Sequence, residues 1–133
     1  MKSIVLIGAL CAFTSLPALA QSSASPAPSA TPDPIAVRAQ EMLHEFQTGK
    51  VDRTQLDTQM NAAMTDDVLK QVQAKFAPLG DPQQFTFSGK QAVQGDNTAY
   101  VYRVTFKSGT FNEVFALDKA GKVSGFYLLP QKQ

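Results

Sequence analysis

The spacing of apolar positions divides the chain into four stretches. Over residues 4–13 they form one unbroken run, over 21–34 large ones are absent, from Ile35 to Phe76 they recur every three or four residues, and after Pro82 they alternate with polar ones. Each pattern predicts a different kind of segment. Ile35, Ala39, Met42, Leu43 and Phe46 stand at helical spacing, and Gly49 follows as a C-terminal cap. Asp52, with Gln55 three residues on, looks like the start of a second helix, with Val51 and Leu56 placed for a hydrophobic staple. Leu56, Met60, Ala63 and Met64 would form its apolar face. Thr65, Asp66 and Asp67 cap a third helix with the stripe Leu69, Val72 and Phe76, which the Pro- and Gly-containing segment 78–82 stops.

Beyond Pro82 the period of two and the intervening turn signals predict four strands. With Gly95 and Asp96 as a two-residue turn, Phe85 faces Phe106, Phe87 faces Val104, Gly89 faces Tyr102 and Gln91 faces Tyr100. With Ser108 and Gly109 as the next turn, Phe106 faces Phe111, Val104 faces Glu113, Tyr102 faces Phe115 and Tyr100 faces Leu117. Segment 118–122 reads as a type I turn closing with a glycine bulge, which sets Leu117 against Val123, Phe115 against Gly125 and Glu113 against Tyr127. In these registers nearly every large apolar strand residue shares one face, and a slip of one residue would break the agreement. The other face is mostly Thr86, Ser88, Lys90, Arg103, Thr105, Asn112 and Ser124. The expected fold is therefore α+β, with three N-terminal helices packed on one face of a four-stranded antiparallel meander.

The ends of the chain change the picture by adding a compartment. Lys2 precedes the apolar run, and Ala18 and Ala20 occupy the two positions a signal peptidase reads, so residues 1–20 are expected to be a signal peptide cleaved before Gln21. The run is shorter than the ~20 residues that span a bilayer. Segment 21–34, rich in Ser, Ala and Pro, is expected to be a disordered leader, and 35–133 a single domain of a periplasmic or secreted protein. Cys11 is the only cysteine and falls in the signal, which leaves the mature chain no disulfide, thiolate nucleophile or cysteine metal site. Leu10 before it is too large for a lipoprotein signal. Losing Lys2 leaves 11 Lys and Arg against 11 Asp and Glu, scattered along the chain, so neither nucleic acid nor an anionic membrane finds a charged footprint. No cofactor is expected.

The order of three short helices and a curled four-stranded meander resembles the cystatin-like and nuclear-transport-factor-like architecture. The segments GKVDRTQLDTQMNAAMT and AYVYRVTFKSGTFNEVFALDKAGKVSGF, with the closing Leu-Pro, look like an uncharacterised domain of secreted bacterial proteins, often found ahead of a serine-hydrolase or α/β-hydrolase domain. Neither a Gly-x-Ser-x-Gly elbow nor a Ser-x-x-Lys motif is present, so hydrolysis is not carried over. The resemblance implies a stand-alone accessory or binding domain.

Four groups of residues carry candidate chemistry. Glu113 is the one acid on the apolar face of the sheet. It reads either as the polar group of a ligand pocket with Tyr127, Tyr102 and Phe115, or as a rim residue hydrogen-bonded to Tyr127. His44, the only histidine, lies between Leu43 and Glu45 with no nucleophile or second ligand tied to it. Gln91, Val93 and Gly95 match the Q-x-V-x-G hairpin of cystatins, although the second cystatin wedge is missing because the chain has no tryptophan. Val114, Phe126 and Leu128 cluster on the outward face in the derived registers and form a candidate surface for a protein partner or a homodimer. The reading that follows is an exported, non-enzymatic accessory or binding domain for a protein or a small apolar ligand. A cystatin-like protease inhibitor and a small pocket enzyme using Glu113 are the alternatives.

Overall fold

A computed structural model describes residues 33–131. The expected signal peptide, and all but the last two residues of the expected leader, lie outside the described residues. The fold is α+β: helices α1 (Pro34–Thr48), α2 (Thr58–Ala63) and α3 (Asp66–Phe76) are followed in chain order by strands β1 (Gln84–Val93), β2 (Asn97–Phe106), β3 (Gly109–Leu117) and β4 (Val123–Pro130). The strands form one antiparallel sheet in the order β1-β2-β3-β4.

Local chemistry sets the helix ends. The Asp33 carboxylate accepts from the Ile35 N–H, Pro34 occupies the first helical position, and Gly49 at φ 71° closes α1. Pro34, the last residue of the expected leader, is thus already helical. Thr65 caps α3 as expected, accepting from the Val68 N–H, and Asp66 and Asp67 fill its first turn. The second helix begins later than expected. Asp52 caps only a 3-10 turn (Arg53–Gln55), after which Leu56 is extended and pairs in parallel with Val123. The cap of α2 is Asp57, whose side chain accepts from the Met60 N–H. Two acids five residues apart offer the same capping chemistry, and burial of Leu56 against β4 decides between them.

The sheet registers differ from the expected ones by the length of a turn or the presence of a bulge. The β1–β2 loop has three residues, 94–96, with Gly95 and Asp96 both left-handed (φ 77° and 58°), and Val93 pairs with Asn97. A bulge between Phe87 and Gly89 restores the phase, so Phe85 pairs with Val104 and Phe87 with Tyr102. The β2–β3 turn is Lys107 and Ser108, which moves the pairing by two residues and leaves the faces unchanged: Val104 meets Phe111, Tyr102 meets Glu113 and Tyr100 meets Phe115. The third hairpin keeps Leu117 opposite Val123, but a bulge at once follows and Phe126, not Gly125, faces Phe115. A one-residue shift exchanges the two faces of β4.

Phe87, Phe106 and Phe115 therefore share the face turned to the helices. There Ala39, Met42, Leu43 and Phe46 of α1 pack on Tyr102, Val104, Phe106, Phe115, Val123 and Phe126. Leu69, Val72 and Phe76 of α3 close the layer from outside, and the Phe46 and Phe126 rings lie 4.9 Å apart. Side chains near both ends of α1 fasten it to loop backbone. Arg38 donates to the Gly121 carbonyl (2.6 Å) and the Gln55 side chain (3.1 Å), and Gln47 donates to the Gly80 carbonyl (2.7 Å).

Candidate functional site

Directly opposed strand residues share a face, so the pairings place Phe87, Tyr102, Glu113 and Leu128 in one row across the helix-facing side. Glu113 thus sits between Tyr102 and Leu128, and not between Val104 and Tyr127 as the sequence suggests. It is 0% exposed, and neither carboxylate oxygen has a hydrogen-bond partner. Burial pushes its pKa up to about 9, so the side chain is a neutral acid at pH 7. The hydroxyl of its cross-strand partner Tyr102 is also buried and unpartnered. Burial first, then the Asp33 carboxylate and Glu113, push the phenol up to about 12.

Tyr102 also lines a hollow of ≈ 580 Å³ between the first turns of α1 and the β1–β2 edge, together with Asp33, Ala36, Val37, Gln40, Phe85 and Phe87. Phe85 stacks on the Tyr102 ring at 4.6 Å, and Phe87 meets it edge-on at 5.6 Å. Phe87 is 52% exposed, so an aromatic ring stands largely in solvent at the wall of the hollow. The hollow thus combines an apolar lining, one carboxylate at Asp33 and one phenol without a partner. Such a site suits a small apolar body with a single polar point.

Of the pocket residues expected from sequence, Tyr102 and Glu113 come together, with Phe115 wholly buried two residues along β3. Tyr127 does not join them. The β4 bulge turns it to the outer face, where it is 59% exposed, and no Glu113–Tyr127 hydrogen bond exists. The same bulge corrects the expected outward cluster of Val114, Phe126 and Leu128. Phe126 is 9% exposed and packs on Phe46, Leu128 packs against the core, and Val114 alone stays outward, beside Tyr127. The outer face instead carries a shallow depression of ≈ 240 Å³ that includes Val93, Ala99, Val114, Ala116, Gly125 and Tyr127. The Tyr127 ring lies so close over Gly125 that an added Cβ would come within 3.2 Å of it.

Gln91, Val93 and Gly95 lie at the exposed tip of the β1–β2 hairpin. His44 is exposed on α1, and among the described residues no three His, Cys, Asp or Glu side chains gather as metal ligands. Also among them, no helix is long and apolar enough to cross a membrane.

Sequence reasoning missed Asp33, Ala36, Val37, Gln40, Phe85 and Phe87 as a group. Their signal was present: Ala36, Val37 and Gln40 occupy one side of α1 next to its core stripe, and Phe85 and Phe87 load one face of an edge strand with two rings. Comparison with protein-family models, curated proteins and solved structures found no match to this chain.

Proposed function

We propose that this chain is an exported, non-enzymatic binding domain of the cystatin-like and nuclear-transport-factor-like kind, and that it holds a small, mainly apolar ligand in the hollow between α1 and the β1–β2 edge. The observation that carries the reading is the ≈ 580 Å³ hollow, walled by Phe85, Phe87 and Tyr102 with Phe87 half in solvent. The Phe87 ring meets Tyr102 edge-on yet leaves half its surface in solvent on an edge strand, and a ligand in the hollow would bury the rest of it. The complete burial of Glu113 supports binding over catalysis, since a general base must reach its substrate. Titration with 2-ethylnaphthalene, followed by amide chemical shifts, tests the reading. Shifts are expected at Ala36, Val37, Gln40 and Phe87, and Phe87→Asp should abolish them without unfolding the domain. Shifts scattered over the surface, or unaltered by Phe87→Asp, would refute it. Export is tested separately by the mass of the mature chain, expected to begin at Gln21.

The exposed hairpin tip supports a second reading, a protease inhibitor that presents Gln91, Val93 and Gly95. Val93 is 38% exposed there, an apolar side chain offered to a partner.

A further inference from the structure

The charge at the hollow is unbalanced. Asp33 is its one ionic side chain, among Ala36, Val37 and Gln40 of α1 and the two phenylalanines of β1. Asp33 is exposed, and its Oδ1 caps α1 by accepting from the Ile35 N–H at 3.0 Å. No cation answers it, since the one ion pair among the described residues joins Arg53 to Asp66. The cationic side chains of the two walls belong elsewhere. Arg38 of α1 donates to the Gly121 carbonyl and the Gln55 side chain, and Lys90 of β1 lines a separate depression with Gln91 and Val101. The N-terminus of α1 offsets roughly half of the carboxylate's charge, which leaves the site negative by about half an elementary charge. Aromatic surface adjoins this charge. Phe87 is 52% exposed and Phe85 half-buried, whereas Tyr102 is wholly covered, so a guest meets the two phenylalanine rings. The face of such a ring attracts a cation.

We infer that the ligand of the hollow is an organic cation, an ammonium group on an apolar body, whose charge is held by the Asp33 carboxylate and the Phe87 ring while its body packs on Phe85, Ala36 and Val37. The inference rests on the apolar-ligand reading above and specifies that ligand's polar point. Charge complementarity selects it. An anionic head would meet the Asp33 carboxylate with no basic side chain to offset it. A hydrocarbon would cover the rings and draw nothing from the charge beside them. Asp33 and Phe87 are both open to solvent, so the ammonium keeps part of its hydration and avoids the cost of a fully buried charge.

The test uses three naphthalenes of one body: 2-naphthyltrimethylammonium, its uncharged isostere 2-tert-butylnaphthalene, and 2-naphthoate, each titrated into the full chain. The trimethylammonium compound is expected to bind about tenfold more tightly than the isostere, the joint worth of an exposed ion pair and one cation–π contact. Its N-methyl protons should show nuclear Overhauser contacts to the Phe87 ring. Added salt should weaken its binding and spare that of the isostere. Asp33→Asn removes the charge and keeps the helix cap, because asparagine caps as well as aspartate. That variant should lose most of the preference and bind the isostere unchanged. Equal affinity of the ammonium compound and the isostere for the unaltered protein would overturn this inference and leave the hollow reading standing. A preference untouched by Asp33→Asn, or tighter binding of 2-naphthoate, would overturn it as well. If none of the three binds, the hollow reading falls and this one with it. The comparison in the unaltered protein does not depend on any variant folding.

Discussion

Replacing Glu113 by leucine should stabilise the domain, and the gain should grow as pH rises. A carboxyl that ordinarily titrates at 4.5 is pushed up to about 9 by burial. Below pH 4.5 the group is protonated in the folded and unfolded chain alike, and it adds no pH dependence. Between 4.5 and 9 the unfolded carboxyl is ionised while the folded one keeps its proton, so unfolding releases a proton and is favoured by each rise in pH. The folded state then loses about 1.4 kcal/mol per pH unit, and on the order of 3 kcal/mol between pH 4.5 and 7. That is a large part of the roughly 5–15 kcal/mol by which domains are stable. Leucine also removes two unpartnered oxygens, worth about 1–3 kcal/mol at any pH. Urea unfolding followed by circular dichroism at pH 5, 6, 7 and 8 should give a steady decline for the unaltered protein and no corresponding slope for Glu113→Leu or Glu113→Gln. The other shifted groups fall outside this window. Asp52 is held below 3.8 chiefly by hydrogen bonds from Thr54, so its contribution is present above that value and fades only as pH falls through it. Tyr102, pushed up to about 12, matters only above pH 10. Parallel curves for the unaltered protein and Glu113→Leu would refute the burial argument.

Gly49→Ala should destabilise the junction of α1 and α3. Gly49 has φ 71°, an alanine Cβ would stand 2.7 Å from the Gln73 Oε1, and Gln73 donates to the Thr48 carbonyl at 3.1 Å. Left-handed strain of about 1–2 kcal/mol and the loss of a hydrogen bond worth ~1 kcal/mol should lower the midpoint of thermal unfolding by about 10 °C. Thermal melts check this, and Gln73→Ala on the same background should cost less than it does alone. Val93→Asp addresses the inhibitor reading: if the hairpin tip enters a papain-like protease, inhibition by the unaltered protein is measurable and the variant loses at least tenfold, about 1.4 kcal/mol. Absence of inhibition by the unaltered protein would remove that reading.

The helices and the two central strands were legible because their signals are local or survive small errors. Gly49 and Thr65 act at the positions the sequence suggests. The β2–β3 pairing was misjudged by two residues, yet an even shift keeps every side chain on its face, so Tyr102, Val104, Phe106, Glu113 and Phe115 were assigned to the correct side. Odd shifts are less forgiving. One extra residue in β4 moved Tyr127 outward and Phe126 inward, and with them both the expected pocket partner and the expected outer patch. Nothing local marks that bulge. It brings Val123 and Phe126 together into the core, a requirement set by Leu43, Phe46 and Leu56 from distant parts of the chain. The capping of α2 by Asp57 was hidden for the same reason, because Leu56 is held by a strand that comes nearly seventy residues later. Each wall of the hollow carried a signal of its own, but α1 and β1 are not neighbours in sequence and only tertiary packing brings them face to face.

The fastening of α1 has a consequence for any occupant of that hollow. Arg38 ties the helix to the β3–β4 turn, and Gln47 ties it to the loop after α3, so it spans the sheet like a beam pinned at both ends. These bonds oppose a shift of the helix, so its first turns should move little when a guest enters beneath them. A guest then forfeits little affinity to shaping its berth, and a modest contact area suffices for useful retention.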